Sequence, residues 1–368
     1  MMNKVKIVLF TLDDTYAEYF SNYMRNPENG IKFSTKIYTD ENAFRKNTRN
    51  QKQHILLTDL EIDTEETKNF DKVINLTGDQ INQTEKELVI FKYQPLKELL
   101  SQVLAAYYEA NGKLAAMVNG KQKETVISFY SGSAGSGKTL FSLCLAKHLA
   151  MQEKNVFYLN LEQLHTTYLF FKEEKESSVE VFYYLKNNVE RLISKIELLK
   201  SRDSLTNIEY FSLPVLPEEM EIITSEQINI LIQALKETQN YDYIIIDLDS
   251  SIHERNIAAM ENSDEVFWVL NSDEASLAKS QYILDNDVLD INMDKTKIHY
   301  VLNKVGSSVF EGFNSYNFSI ETHVPFNAHW LEISEQTKVL EDTLIGEQLS
   351  KLFEKNPDIF SEVAAVES

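Results

Sequence analysis

Residues Gly132-Ser-Ala-Gly135-Ser-Gly137-Lys138-Thr139 satisfy the spacing G-x-x-x-x-G-K-[ST] at every fixed position. Residues of these types in this order suit one chemistry, the cradling of a polyphosphate. Glycines let the backbone turn tightly enough for successive N–H groups to face phosphate oxygens. Lys138 adds a full positive charge for the β and γ phosphates, and the Thr139 hydroxyl is placed for Mg²⁺. The candidate nucleotide contacts are Gly132, Ser133, Ala134, Gly135, Ser136, Gly137, Lys138, Thr139 and Leu140. The bland alternative is a glycine-rich turn. Context opposes it, because VISFY reads as a strand before the loop and TLFSLCLAKHLA as a helix after it. A helix N-terminus there adds its partial positive charge.

Such a loop needs an acid for the magnesium shell. Asp247 ends the run YIIIDL, where a buried strand delivers a carboxylate to the sheet's carboxyl edge. Asp249 follows on the same face. A strand-terminal Asp is also an ordinary helix cap; for Asp247 the loop favours the metal role, and for Asp249 both readings stand. Cys144 on the loop helix reads as core. The seven histidines form no H-E-x-x-H pattern, which argues against a catalytic zinc site.

The elements that must position these residues fall into two blocks. Before residue 111, KIVLF, KFSTKIYT, HILLTDL, VINLT and LVIFK read as five strands, with helices over 15–26 and after Pro95. Residues 111–124, with two Asn-Gly pairs, read as a linker. The block 125–368 supplies the strands TVISFYSG, NVFYLNL, IEYFSL, YDYIIIDL, EVFWVLN and KIHYVLNKV, with helices over 138–152, 178–200, 225–239 and 273–286. Strands alternating with helices imply two doubly wound α/β parallel-sheet domains, 1–110 and 125–368. The chain has 368 residues, a formal net charge of −21 and one cysteine. That composition argues against a disulfide framework and against a protein built to hold duplex DNA through its phosphates. No apolar run is long enough to span a membrane, and MMNKVKIVLFTLDD carries too short a run for a leader. The aromatic stretches TTYLFF and VEVFYYL read as packing, with a partner surface as the second reading; KEEKES reads as a solvated loop.

On SGSAGSGKT, FYLNLEQ, YIIIDLDSS, YVLNKV and VPF, the second block resembles the MinD/ParA class of P-loop ATPases. The resemblance implies ATP and Mg²⁺ bound between two facing subunits, hence a homodimer. By position it implies that Asn160 and Glu162 stand where the class has two water-orienting acids, and that Asn303 contacts adenine. Lys138, Asp247 and Glu162 are then the candidate catalytic residues, and Thr139 and Asp247 the metal ligands. Glu162 as a plain surface acid stays open. Two positions depart from the class: Ser133 replaces a lysine that reaches the partner's phosphates, and Asn160 replaces an acid. Losing one such donor costs roughly 2.7–4 kcal/mol of transition-state stabilisation, so binding is expected and hydrolysis, if any, is weak.

The first block resembles a response-regulator receiver, a flavodoxin-like fold of strand order 2-1-3-4-5. Asp13, Asp14, Asp59, Thr77 and Lys92 all fall at carboxyl ends of strands and are expected to share one pocket. Asp59 takes the place of the phosphorylated aspartate; as an alternative, these residues cap helices and turns. The gaps around the fourth strand barely admit a helix with two loops, and Tyr-Gln-Pro follows Lys92, so the receiver is atypical. An atypical receiver before a MinD-like ATPase resembles the TadZ/CpaE family, which localises and helps assemble Tad (Flp) type IV pilus machinery. That implies a cytoplasmic protein recruited to a cell pole or inner membrane face, with pilus-assembly or polar proteins as partners. The tail GEQLSKLFEKNPDIFSEVAAVES is a poor membrane-surface helix, so neither membrane insertion nor specific nucleic-acid binding is expected.

Overall fold

Side chains alternate sides along a strand, so a strand covered on both faces reads as an unbroken apolar run. Val5–Phe10 (β1) is such a run. Its Ile7 and Leu9 join one buried cluster, and its Val8 and Phe10 join another. The computed structural model describes the chain apart from residues 1–3, 26–32, 50–51, 80–88, 97–98, 101, 104–105, 108–123, 172–177, 188, 190–191, 239, 290–293, 307–309, 332–335, 342 and 354–368. The expected linker (save Glu124), the KEEKES run and the end of the tail therefore lie outside the described residues.

Two compact units form. The first comprises residues 1–121 with 188–198, the second 122–187 with 199–368. In the first, β1, Phe33–Tyr38 (β2), Gln53–Thr58 (β3), Phe70–Thr77 (β4) and Val89–Phe91 (β5) form one parallel sheet of order β2-β1-β3-β4-β5. This is the strand order expected of the first block. Asp14–Met24 (α1) lays Tyr16 and Phe20 on one face, where residues of 96–107 also pack, including Leu99 and Val103. Glu41–Thr48 (α2) covers the other through Phe44, stacked on Phe10 at 4.3 Å. Between β3 and β4 the short gap holds only the one-turn helix Thr64–Thr67 (α3).

In the second unit, Thr125–Tyr130 (β6), Val156–Asn160 (β7), Lys200–Arg202 (β8), Glu209–Phe211 (β9), Tyr243–Asp247 (β10), Glu265–Asn271 (β11), Ile298–Val305 (β12) and Ile320–Pro325 (β13) form the sheet. Its order is β13-β12-β11-β6-β10-β7-β9-β8, parallel except for β8. Lys138–Met151 (α4) starts directly after the glycine loop. It buries Phe141, Leu143, Cys144, Leu145 and Leu149, and so is apolar nearly all round, as a helix inside the core must be. Leu344–Phe353 (α11) crosses it so closely that a Cβ on Gly346 would lie 2.5 Å from the Cys144 carbonyl. The helix expected over 178–200 is instead two, Glu180–Asn187 (α5) and Leu192–Leu199 (α6). Residues 188–198 group with the first unit, whose core Ile193 packs against. Val324 and Pro325 of the VPF segment end strand β13. Further helices are Pro217–Ile222 (α7), Ser225–Glu237 (α8), Glu254–Glu261 (α9) and Glu274–Asp285 (α10). No described helix is long and apolar enough to cross a membrane.

Candidate functional site

Strand β6 sits mid-sheet between β10 and β11, so its loop opens at the carboxyl edge beside the end of β10. Two glycines turn that loop: Gly135 at φ 65° and Gly137 at φ 98°, both in the left-handed region. Gly137 is also pinned by space, because an added Cβ would lie 2.5 Å from Asn303 Nδ2. Among the described residues, no acceptor takes the N–H groups of Gly135, Ser136 or Gly137. The Ser133 and Ser136 hydroxyls are buried and likewise find no partner among the described residues. Free donors at a helix N-terminus form a ready site for an anion.

Lys138 is buried, and its Nζ donates to Ser250 Oγ at 3.0 Å. Asp247 and Asn160 are register partners on adjacent strands. Asp247 is fully buried, and its Oδ2 accepts from Tyr158 OH at 2.9 Å and from Asn160 Nδ2 at 3.5 Å. Among the described residues its Oδ1 has no partner. Asn160 Oδ1 in turn accepts from the Glu162 N–H at 2.8 Å, which aims Glu162 at the loop helix. There the Thr139 hydroxyl donates to Glu162 Oε2 at 3.4 Å. Burial first, and then the Asp247 charge, push the Glu162 carboxyl well above the usual range. Burial likewise raises Asp247 against the opposing charge of Lys138.

A partnerless oxygen on a buried carboxylate is costly, and two acids lifted together mark a place short of positive charge. The donor set fits Mg²⁺, which takes few protein oxygens and leaves the rest to water and phosphate. Thr139 and Asp247 would hold it, and it would supply neutralising charge to the β and γ phosphates. Among the described residues, no three His, Cys, Asp or Glu side chains cluster as a metal cage.

Asp249 has a different job. Its Oδ1 accepts from Ser251 Oγ at 2.7 Å and Asn256 Nδ2 at 2.7 Å, while Oδ2 pairs with Arg255. Burial opposes its charge, but those bonds and the guanidinium more than offset it and hold its pKa down at about 2. Arg255 is itself buried and donates to the carbonyls of Leu161 and Met220 at 3.0 and 2.9 Å. Asp249 thus braces α9 against the segments at Leu161 and Met220. Asn303 is spent on the loop: its Nδ2 donates to the Ser136 carbonyl at 2.7 Å, and its Oδ1 accepts from the Lys304 N–H at 2.7 Å. Sequence reasoning missed Tyr158, Ser250, Arg255 and Lys304. Of these only Tyr158 carried a signal, lying two residues before Asn160 and hence on the same strand face.

In the first unit, Lys92 Nζ donates to Asp59 Oδ2 at 2.7 Å and Asp13 Oδ2 at 2.9 Å. Thr11, unnoticed in the sequence, donates its hydroxyl to Asp59 Oδ2 at 2.9 Å. Burial works against the Lys92 charge, yet the bonds to Asp59 and Asp13 keep its pKa above the ordinary value. The Lys92 hydrogen bond, with the Tyr16 N–H, holds Asp13 low. Asp14 stays out of this cluster, exposed in the first turn of α1. Thr77 Oγ1 accepts from the Asp79 N–H at 3.1 Å, and its carbonyl accepts from the Lys92 N–H at 2.8 Å.

Residues 124–295 match a family described as an AAA domain. No curated protein matches the sequence. Similar solved structures include a ParA family ATPase from Chlorobium tepidum TLS, at 19% identity over 63% of this chain and 93% of that one, with a TM-score of 0.48. The cell division ATPase MinD from Pyrococcus furiosus is 18% identical over 62% and 99%, with a TM-score of 0.45. A MinC:MinD cell division complex from Aquifex aeolicus gives 16% over 63% and 97%, with a TM-score of 0.48.

Proposed function

We propose that the second unit is a MgATP-binding switch of the MinD/ParA type, with slow hydrolysis at most, and that it works as a homodimer. One observation carries this reading. A glycine loop whose N–H groups the described residues leave unclaimed, a buried lysine, and a buried carboxylate with an oxygen that no described residue partners meet at the carboxyl edge of one parallel sheet. The loop N–H groups of Gly135 to Gly137 seat the phosphates, Lys138 neutralises them, and Thr139 with Asp247 completes the magnesium shell. Glu162, tethered through Asn160, orients water near Thr139. Ser133 brings no cation to the loop, which favours holding nucleotide over turning it over.

The finer assignment is an assembly or localisation factor of the TadZ/CpaE kind, acting on pilus-assembly or polar proteins from the cytoplasmic side. Its support is architectural: a parallel 2-1-3-4-5 unit with an Asp13–Asp59–Lys92 cluster precedes the ATPase, and the loop lacks its second-position lysine. Light scattering with and without MgATP tests the switch. Wild-type mass should double only with MgATP, and Lys138→Ala should stay monomeric and bind no nucleotide. A wild type that binds MgATP yet remains monomeric would refute the dimeric switch.

A further inference from the structure

The end of β12 touches the phosphate loop from outside at two successive peptides. Asn303 Nδ2 donates to the Ser136 carbonyl at 2.7 Å, and Lys304 Nζ donates to the Gly135 carbonyl at 2.5 Å. The Gly135 carbonyl and the Ser136 N–H are two ends of one peptide unit; the Ser136 carbonyl and the Gly137 N–H are the ends of the next. A donor on the oxygen of a peptide polarises it and makes its N–H a better donor. Those N–H groups are among the ones that the described residues leave unclaimed.

Lys304 reaches this position at a cost. Its φ is 57°, a left-handed backbone where a side chain other than Gly, Asn or Asp is uncommon. The Asn303 side chain holds that conformation by accepting the Lys304 N–H at 2.7 Å. Strain held in place by a neighbour, next to a ligand loop, marks a position with a task. The loop meanwhile has a serine, Ser133, at its own second position.

We infer that Asn303 and Lys304 form a clamp that preorganises the phosphate loop, strengthens the Ser136 and Gly137 N–H donors, and supplies the loop with a positive charge in cis for a nucleotide polyphosphate. The clamp rests on the nucleotide reading above. Both are positioning residues.

Lys304→Gly separates the clamp from the fold, because glycine is at ease at this φ. Lys304→Asn does the same with a side chain retained. In titration calorimetry with MgATP and MgADP, both variants should bind about tenfold more weakly than wild type, the loss of one charge-assisted hydrogen bond. Neither should melt below wild type without nucleotide, and Lys304→Arg should recover most of the affinity. Before nucleotide is added, the Ser136 amide proton should shift upfield in Lys304→Gly. If wild type and Lys304→Gly bind alike, the clamp is overturned and the nucleotide reading stands. If wild type itself binds no MgATP, the nucleotide reading falls, and the clamp with it.

Discussion

The two positive-φ glycines of the loop do different things, and alanine at each separates them. A Cβ on Gly135 would meet no described residue within 4 Å. Gly135→Ala should therefore cost only left-handed backbone strain, about 1 kcal/mol. Gly137→Ala adds a clash with Asn303 and should break the Asn303–Ser136 bond, for a total of about 2–3 kcal/mol. Denaturant melts of the two variants check the order, and equal losses would mean that Asn303 yields freely. The motif, with Lys138, and the strand-terminal Asp247 could be picked out residue by residue, whereas the Asn160–Glu162 pair was singled out only through the resemblance. The clamp was not legible, because Asn303 and Ser136 are 167 positions apart and only the folded sheet joins them. The Asp249–Arg255 pair was not legible either, because Asp249 lies past the end of β10 and Arg255 on α9, and no single element's periodicity relates them.

At the scale of elements, continuous apolar runs announced the central strands. The pieces that went unseen are short or edge elements, such as β8 and β13, whose partly exposed patterns carry little periodic signal. The 178–200 segment read as one helix because its apolar residues run on; α5 belongs to the second unit and α6, up to residue 198, to the first. One cross-strand device also lay beyond sequence reading. His299 on β12 holds Glu265 on β11 at 2.8 Å through Nε2 and Glu321 on β13 at 2.9 Å through Nδ1, tying three neighbouring parallel strands. Both ring nitrogens face carboxylates, so both must donate, which favours the imidazolium. Burial opposes that charge, but the hydrogen bonds to Glu265 and Glu321 outweigh it, and the pKa is raised above 6.5. A raised folded pKa gives stability that is complete below the unfolded value and is lost as pH rises through the folded one. The melting temperature of wild type should therefore fall between pH 6 and pH 9 by more than that of His299→Phe. Parallel pH profiles for the two proteins would remove His299 as the cause.

For the whole molecule, the relevant fact is that each unit has its own core. Ile7, Leu9, Phe20, Ile55 and Val103 belong to one cluster, and Phe129, Phe141, Ile245 and Val301 to another. The chain nevertheless leaves the second unit to contribute 188–198 to the first and then returns. Cutting at residue 121 would thus remove the helix that brings Ile193 to the first core, so the full chain is the proper object of measurement. Units with separate cores melt separately unless their interface couples them strongly. Scanning calorimetry should show two transitions. A ligand that binds only the folded second unit stabilises that unit alone, by about 2.7 kcal/mol at a hundredfold excess over its Kd. MgATP should accordingly move one transition upward and leave the other in place, and Lys138→Ala should abolish the movement. If both transitions rise together with MgATP, filling of the phosphate loop is felt by the Asp13–Asp59–Lys92 unit, and the two cores act as one cooperative switch. If only one rises, the first unit responds to some other signal, and nucleotide governs the second alone.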